Sequence, residues 1–159
     1  MSAGQPRLFA TPQEQLTSDD YYTPAWVFER MGITFDLDVC APPGGVPWIP
    51  AVRYFTQADD GLVQPWEGRV WMNPPYSHAT AWVLKFIEHR HGVCLVNHAK
   101  SRWHNRLWEA CDGACMPPEY FDFVGGPHGG SMFMPVWFAA FGDECGEAIS
   151  RLGVVRRIA

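Results

Sequence analysis

The chain has 159 residues, enough for one domain whose folding buries roughly two-thirds of the surface of the open chain. Its 47% hydrophobic and 14% aromatic content excludes a disordered segment, and a net charge of −5 excludes attachment to nucleic acid by bulk electrostatics. The charge is uneven, however. Residues 1–84 carry nine acids against four Arg, whereas Lys85, Arg90, Lys100, Arg102 and Arg106 follow within a short stretch whose one acid is Glu88. That stretch reads either as a solvated surface or as a local strip facing phosphates.

Five irregularly spaced Cys, with no Cys-x-x-Cys pair, predict reduced buried thiols and no metal. Residues 1–10 show no apolar leader, and the longest apolar run, residues 132–141, contains Pro135 and is too short to cross a bilayer. A protein of the cytoplasm, the host cell's if phage-encoded, is expected.

In chain order, residues 1–22 are polar and turn-rich and read as a flexible lead-in, with one domain over residues 23–159. Thr23-Pro24 has the form of a helix start, and the helix over 25–31 stops at Gly32. Residues 33–39 alternate apolar and acidic side chains as a strand does, with Asp36 facing solvent. Four Pro and two Gly make 41–50 a loop. Strands are predicted over 52–56 and 69–72, then a helix over 78–90 with apolar residues on one face. A buried strand over 93–96, a helix over 103–110, and strands over 114–116, 120–124 and 131–141 follow, with 125–130 as a turn; 147–158 is ambiguous. The pattern predicts an α/β fold with a mostly parallel twisted sheet and late antiparallel strands. In such sheets ligands bind beyond the carboxyl ends of the strands.

The chemistry lies in Asn73-Pro74-Pro75-Tyr76, directly after the strand Val70-Trp71-Met72. The tetrapeptide resembles the catalytic motif of amino-methyltransferases. An exocyclic amine is a poor nucleophile because its lone pair is delocalised into the ring. Two acceptors gripping its N–H groups favour a pyramidal nitrogen with the lone pair free, and the Asn73 side-chain oxygen and the Pro74 carbonyl supply them. Paired prolines give that row of carbonyls a fixed φ, and Tyr76 offers a flat face to an extruded base.

The order Tyr-Thr-Pro (22–24), Phe-Asp-Leu-Asp-Val-Cys-Ala (35–41), Tyr-Phe-Thr (54–56), Asp-Asp-Gly-Leu (59–62), Trp66, Asn-Pro-Pro-Tyr and Trp82-Val83 is similar to the phage-type Dam family of DNA N-6-adenine methyltransferases. The resemblance covers about residues 22–90 and weakens to about 141. It implies a small Rossmann-like methyltransferase core that uses S-adenosylmethionine and acts on DNA. Asp38 and Ala41 would meet the methionine end of the cofactor, Thr23-Pro24 would close over that end, and Asp59 or Asp60 would contact its adenosine part. Arg90, Lys100, Arg102 and Arg106 are candidate phosphate contacts, with Trp103 among them matching a tryptophan common in the family.

The chain departs from the family in two places. Ala41-Pro42-Pro43-Gly44-Gly45 stands in place of the usual glycine-rich loop and its helix, and residues 97–102 fit poorly. No recognition domain is visible, so loops must read the DNA, in one chain or in a homodimer. Two rival readings stay open: a glutamine-amide protein methyltransferase, and a catalytically silent nucleic-acid or cofactor-binding module of the same fold.

Overall fold

A computed structural model describes residues 19–126 and 135–157, without the side chains of the last two. Most of the lead-in, the turn beyond 126 and the start of the strand predicted over 131–141 lie outside these residues. Among those described, β1 (Tyr21–Tyr22) precedes α1 (Ala25–Met31), β2 (Phe35–Asp38), β3 (Ala51–Tyr54) and β4 (Val70–Met72). A 3-10 turn (Tyr76–His78) leads into α2 (Ala79–His89), then β5 (Gly92–Asn97), α3 (Arg102–Ala110) and β6 (Gly113–Met116). Finally come β7 (Val124–Gly125), β8 (Val136–Phe141), α4 (Asp143–Ile149) and β9 (Val154–Arg157).

Seven strands form one mixed sheet in the order β3-β2-β4-β5-β8-β6-β9. The first four run parallel, and β8 lies antiparallel to both β5 and β6, with β9 antiparallel to β6. The fold is α/β with antiparallel strands late, as expected, but the sheet is mixed instead of mostly parallel, with three pairings of each kind. It is compatible with a methyltransferase-like fold. β1 and β7 pair separately.

Helices cover both faces. α2 and α3 bury Trp82, Val83, Phe86 and Leu107 against Val70, Met72, Cys94, Val96 and Trp137. On the other face α1 and α4 bury Val27, Phe28, Met31, Ala148 and Ile149 against Phe35, Trp71, Val93, Leu95 and Phe138. Strands sandwiched this way are apolar throughout, which is why β4, β5 and β8 read as unbroken hydrophobic runs. The five Cys are free; Cys94, Cys111, Cys115 and Cys145 are buried as predicted, and Cys40 is half-buried. No helix among the described residues is long and apolar enough to cross a membrane.

Three differences from the sequence reading have local causes. Residues 120–124 do not form a strand: the Phe121 N–H donates to the Pro118 carbonyl in a turn, and Phe123 turns into the core, leaving Val124–Gly125 extended. The described part of the ambiguous stretch 147–158 resolves into the end of α4, which starts earlier at Asp143, and β9. Residues 19–22, assigned to the lead-in, are structured, since Tyr21 is buried and paired to Gly125.

Trp71 joins the fold to the motif that follows it. Fully buried, it meets Phe28 edge-on at 4.8 Å, Phe35 at 5.8 Å and Phe138 at 6.5 Å between ring centroids. Trp71→Ala should therefore destabilise the domain by about 3–5 kcal/mol, and Trp71→Phe by much less. Urea denaturation followed by circular dichroism checks this, and a Trp71→Ala midpoint equal to that of the parent would contradict the packing.

Candidate active site

Parallel pairing sets the geometry. Asp38 lies opposite Trp71 and Met72 opposite Cys94, so β2, β4 and β5 end at one edge and deliver Asp38, Asn73 and Asn97 there. Of the predicted site residues, Thr23 and Pro24 reach the same edge through β1. The Trp48 indole N–H donates to the Thr23 carbonyl at 2.8 Å, tying that segment to the loop over 41–50.

Asn73 donates its side-chain N–H to the Tyr21 carbonyl at 2.9 Å, which leaves the amide oxygen as an acceptor with no hydrogen bond among the described residues. Pro74 is buried, and Pro75 is extended at φ −61° and ψ 117°, launching the 3-10 turn. Tyr76 meets Phe123 edge-on and donates its hydroxyl to the Leu95 carbonyl across a long 3.5 Å. Burial raises its pKa well above the ordinary phenol value.

Asp38 is 3% exposed, and its carboxylate accepts the Cys40 N–H at 3.2 Å. Burial, only partly offset by that hydrogen bond, raises its pKa to about 7. Beside it opens a cavity of about 200 Å³ lined by Gly44, Gly45, Ile49, Ala51 and Tyr54. A methyl group on Gly45 would come within 3.0 Å of the Tyr54 ring, so the turn needs glycine there for space as well as for its φ of 72°. Ala41, buried, is held by its N–H to the Phe55 carbonyl. The Thr23 hydroxyl is buried with no hydrogen-bond partner among the described residues.

Asp59 and Asp60 are exposed turn residues. The Asp59 carboxylate accepts the Thr56 N–H at 2.8 Å and its hydroxyl at 2.9 Å, which lowers its pKa, and Asp60 accepts the Leu62 N–H. Neither lines the cavity beside Asp38.

The basic residues separate into groups. Lys100, Arg102 and Arg106 are exposed where the chain leaves β5 and along α3, and none is in a salt bridge among the described residues. Arg90 caps α2 with its guanidinium 4.9 Å from the Phe141 ring, at the opposite edge of the sheet, because α2 carries the chain back across the whole strand length. Trp103, expected at the DNA surface, is 7% exposed and packs with Leu107 in the core. Lys85 donates to the carbonyls of Leu62 and Gln64 at 2.7 and 2.5 Å, fixing the loop before Trp66. Among the described residues, no group of three or more His, Cys, Asp and Glu is placed to hold a metal.

Sequence reasoning missed two contributors. Asp19 accepts the Ser77 hydroxyl at 2.7 Å, and the side-chain oxygen of Asn97, 7% exposed, has no hydrogen-bond partner among the described residues. No local pattern signals either, because Asp19 and Ser77 lie far apart in the chain and a polar end to a buried strand is ordinary.

The model of the DNA N-6-adenine-methyltransferase (Dam) family matches residues 10–116, well over half of the chain. The chain belongs to that family. A DNA N-6-adenine-methyltransferase of Haemophilus phage HP1 is 38% identical over 74 residues, which is 43% of this chain and 41% of the relative. The shared part is thus less than half the length of that phage protein. No solved structure matches the chain. The matched region of this Dam-family chain includes Asp38, Asn73-Pro74-Pro75-Tyr76 and the segment from Asp19 onward, and it stops at the end of β6.

The raised pKa of Asp38 has a thermodynamic consequence. The folded state binds this proton up to about pH 7, whereas the ordinary carboxyl value of 3.8 applies to the unfolded chain. The ligand-free domain should therefore lose stability from this group as pH rises from 3.8 to about 7, and the loss should be complete above that. Asp38→Asn should be the more stable protein at about pH 8 and nearly equal at about pH 4. Urea midpoints of both proteins at the two pH values check the sign, and an Asn variant less stable at the alkaline value would contradict it.

Proposed function

We propose that this chain transfers the methyl group of S-adenosylmethionine to the exocyclic 6-amino group of adenine in DNA, in the cytoplasm. The observation that carries the reading is the orientation of Asn73 in a Dam-family chain. Its N–H is committed to the Tyr21 carbonyl, which leaves its oxygen to act as an acceptor beside the paired prolines. The reversed β8 between β5 and β6, next to four parallel strands, supports a Rossmann-like methyltransferase core.

The residues fit the cofactor. A cavity adjoins a buried carboxyl at a strand end, and the Thr23 hydroxyl lacks a partner among the described residues, so the site has polar capacity that these residues leave unused. In this reading Asp38, Ala41, Thr23 and Pro24 hold the methionine end, and Asp59 or Asp60 contacts the adenosine part after releasing its own turn. The cofactor supplies an electrophilic methyl group.

The chain's own residues do the rest. The Asn73 oxygen and Pro74 carbonyl accept the two N–H bonds of the adenine amine and turn its lone pair toward the methyl. Tyr76 and the Pro75 ring bound the extruded base. No strong base is required, because the nitrogen becomes acidic only once methylated, so catalysis is positioning and electrostatics. Lys100, Arg102 and Arg106 contact phosphates, while Trp103 anchors α3 from within. Arg90, on the far edge, takes no part.

Incubation with unmethylated DNA and methyl-labelled cofactor should yield 6-methyladenine on nucleoside analysis; 4-methylcytosine or labelled protein would overturn the acceptor. Asn73→Ala, which deletes one of two acceptors, should lower turnover by about 10²–10³ with cofactor affinity little changed, and turnover near that of the parent would remove Asn73 from the site. Neutralising Lys100 and Arg102 together should weaken DNA binding and reduce the salt slope by about 0.9 for each phosphate that is no longer neutralised. An unchanged slope in a salt titration would return these residues to ordinary surface.

A further inference from the structure

A side-chain amide works as an acceptor for an amine only one way round. Rotated by half a turn, Asn73 would present N–H to N–H and repel the base it should grip. The two orientations have nearly the same shape, so packing cannot choose between them, and a hydrogen-bond partner must. Here that partner is the Tyr21 carbonyl, which only accepts and therefore selects the amide nitrogen.

The carbonyl is itself fixed from both sides. On one side Tyr21 pairs with Gly125, and its ring lies 5.5 Å from Phe123 and against Gly126, where any Cβ would come within 2.2 Å of it. On the other side, two residues earlier, the Asp19 carboxylate takes the Ser77 hydroxyl at 2.7 Å and the Ser77 N–H at 3.4 Å. Ser77 has one hydroxyl proton and Asp19 accepts it, so the 2.8 Å contact between Ser77 and His78 requires a proton on the His78 Nδ1. Residues 19–22 thus grip both ends of the catalytic turn, Asn73 through Tyr21 and Ser77 through Asp19.

We propose that Asp19 is a positioning residue for methyl transfer: it straps residues 19–22 to Ser77, so that the Tyr21 carbonyl keeps the Asn73 oxygen turned to the substrate. The inference rests on the function proposed above. Asp19 is exposed, and a hydrogen bond at such a site contributes little to global stability. Its effect belongs in kcat and not in the melting temperature.

The test uses Asp19→Ala, Ser77→Ala, their double variant and Asp19→Asn, measuring kcat, KM for the cofactor, melting temperature and amide exchange at Ser77. Either Ala variant should lower kcat about tenfold with KM changed less than about threefold. The double should be no worse than the poorer single, since both cut one link. Asp19→Asn keeps an acceptor and should retain most of the turnover. Exchange at Ser77 should quicken in Asp19→Ala while the melting temperature stays put. Losses that multiply in the double, or an Asp19→Ala kcat equal to that of the parent enzyme, overturn the strap. A parent enzyme that makes no 6-methyladenine overturns the reaction instead, so the two failures are distinguishable.

Discussion

The parallel register of β2, β4 and β5 is the constraint on which the rest depends. Because neighbouring strands run the same way, they end at the same edge, and Asp38, Asn73 (just past β4) and Asn97 come to that edge from distant parts of the sequence. Every connection between these strands must then carry the chain back across the sheet. α2 does so between β4 and β5, burying Trp82, Val83 and Phe86, and this return is what sends Arg90 to the far side. The proline pair that follows Asn73 ends β4, because proline cannot donate to the sheet ladder. Sheet geometry and site geometry are therefore one requirement.

The edge is also where the protein tolerates polar groups that its interior would reject. A carboxyl at 3% exposure stands at or beside the strand ends, with a threonine hydroxyl and an asparagine oxygen that lack partners among the described residues. Burying such groups unpaired costs about 1–3 kcal/mol each. Aromatic packing around Trp71 on one face and Phe86 on the other offsets that cost. Cationic side chains (Lys100, Arg102 and Arg106) lie exposed just beyond the end of β5 and along α3, so a chain with net negative charge still presents local positive charge there.

The fold was legible where periodicity was strong. The α1 and α2 patterns and the apolar runs of β4, β5 and β8 were visible because burial on one or both faces writes itself into the sequence. Residues 120–124 misled, since aromatic content reads as strand while Pro117 and Pro118 impose a turn. In the site, the Asn-Pro-Pro-Tyr turn was foreseeable from a strand running into prolines, whereas the burial of Asp38 was not, because the alternation that turns Asp36 to solvent puts Asp38 on the same face. The roles of Asp19, Trp48 and Asn97 were not, because each depends on a partner brought close only by folding. Trp103 misled for a related reason: a tryptophan between two basic residues looks like a surface feature until the helix places it inward.

The position of β8 bears on how the chain is made. It is synthesised after β6 yet lies between β5 and β6, with all six residues buried. A nascent chain that has emerged only through Met116 holds two strands with a gap where their shared neighbour belongs, and their backbone edges stay open. Sheet closure thus waits for the synthesis of β8 and proceeds through contacts distant in sequence, which slows folding. During that interval the open edges are the segments most exposed to pairing with other chains. The segment that the family model matches ends at β6, before β8 is reached.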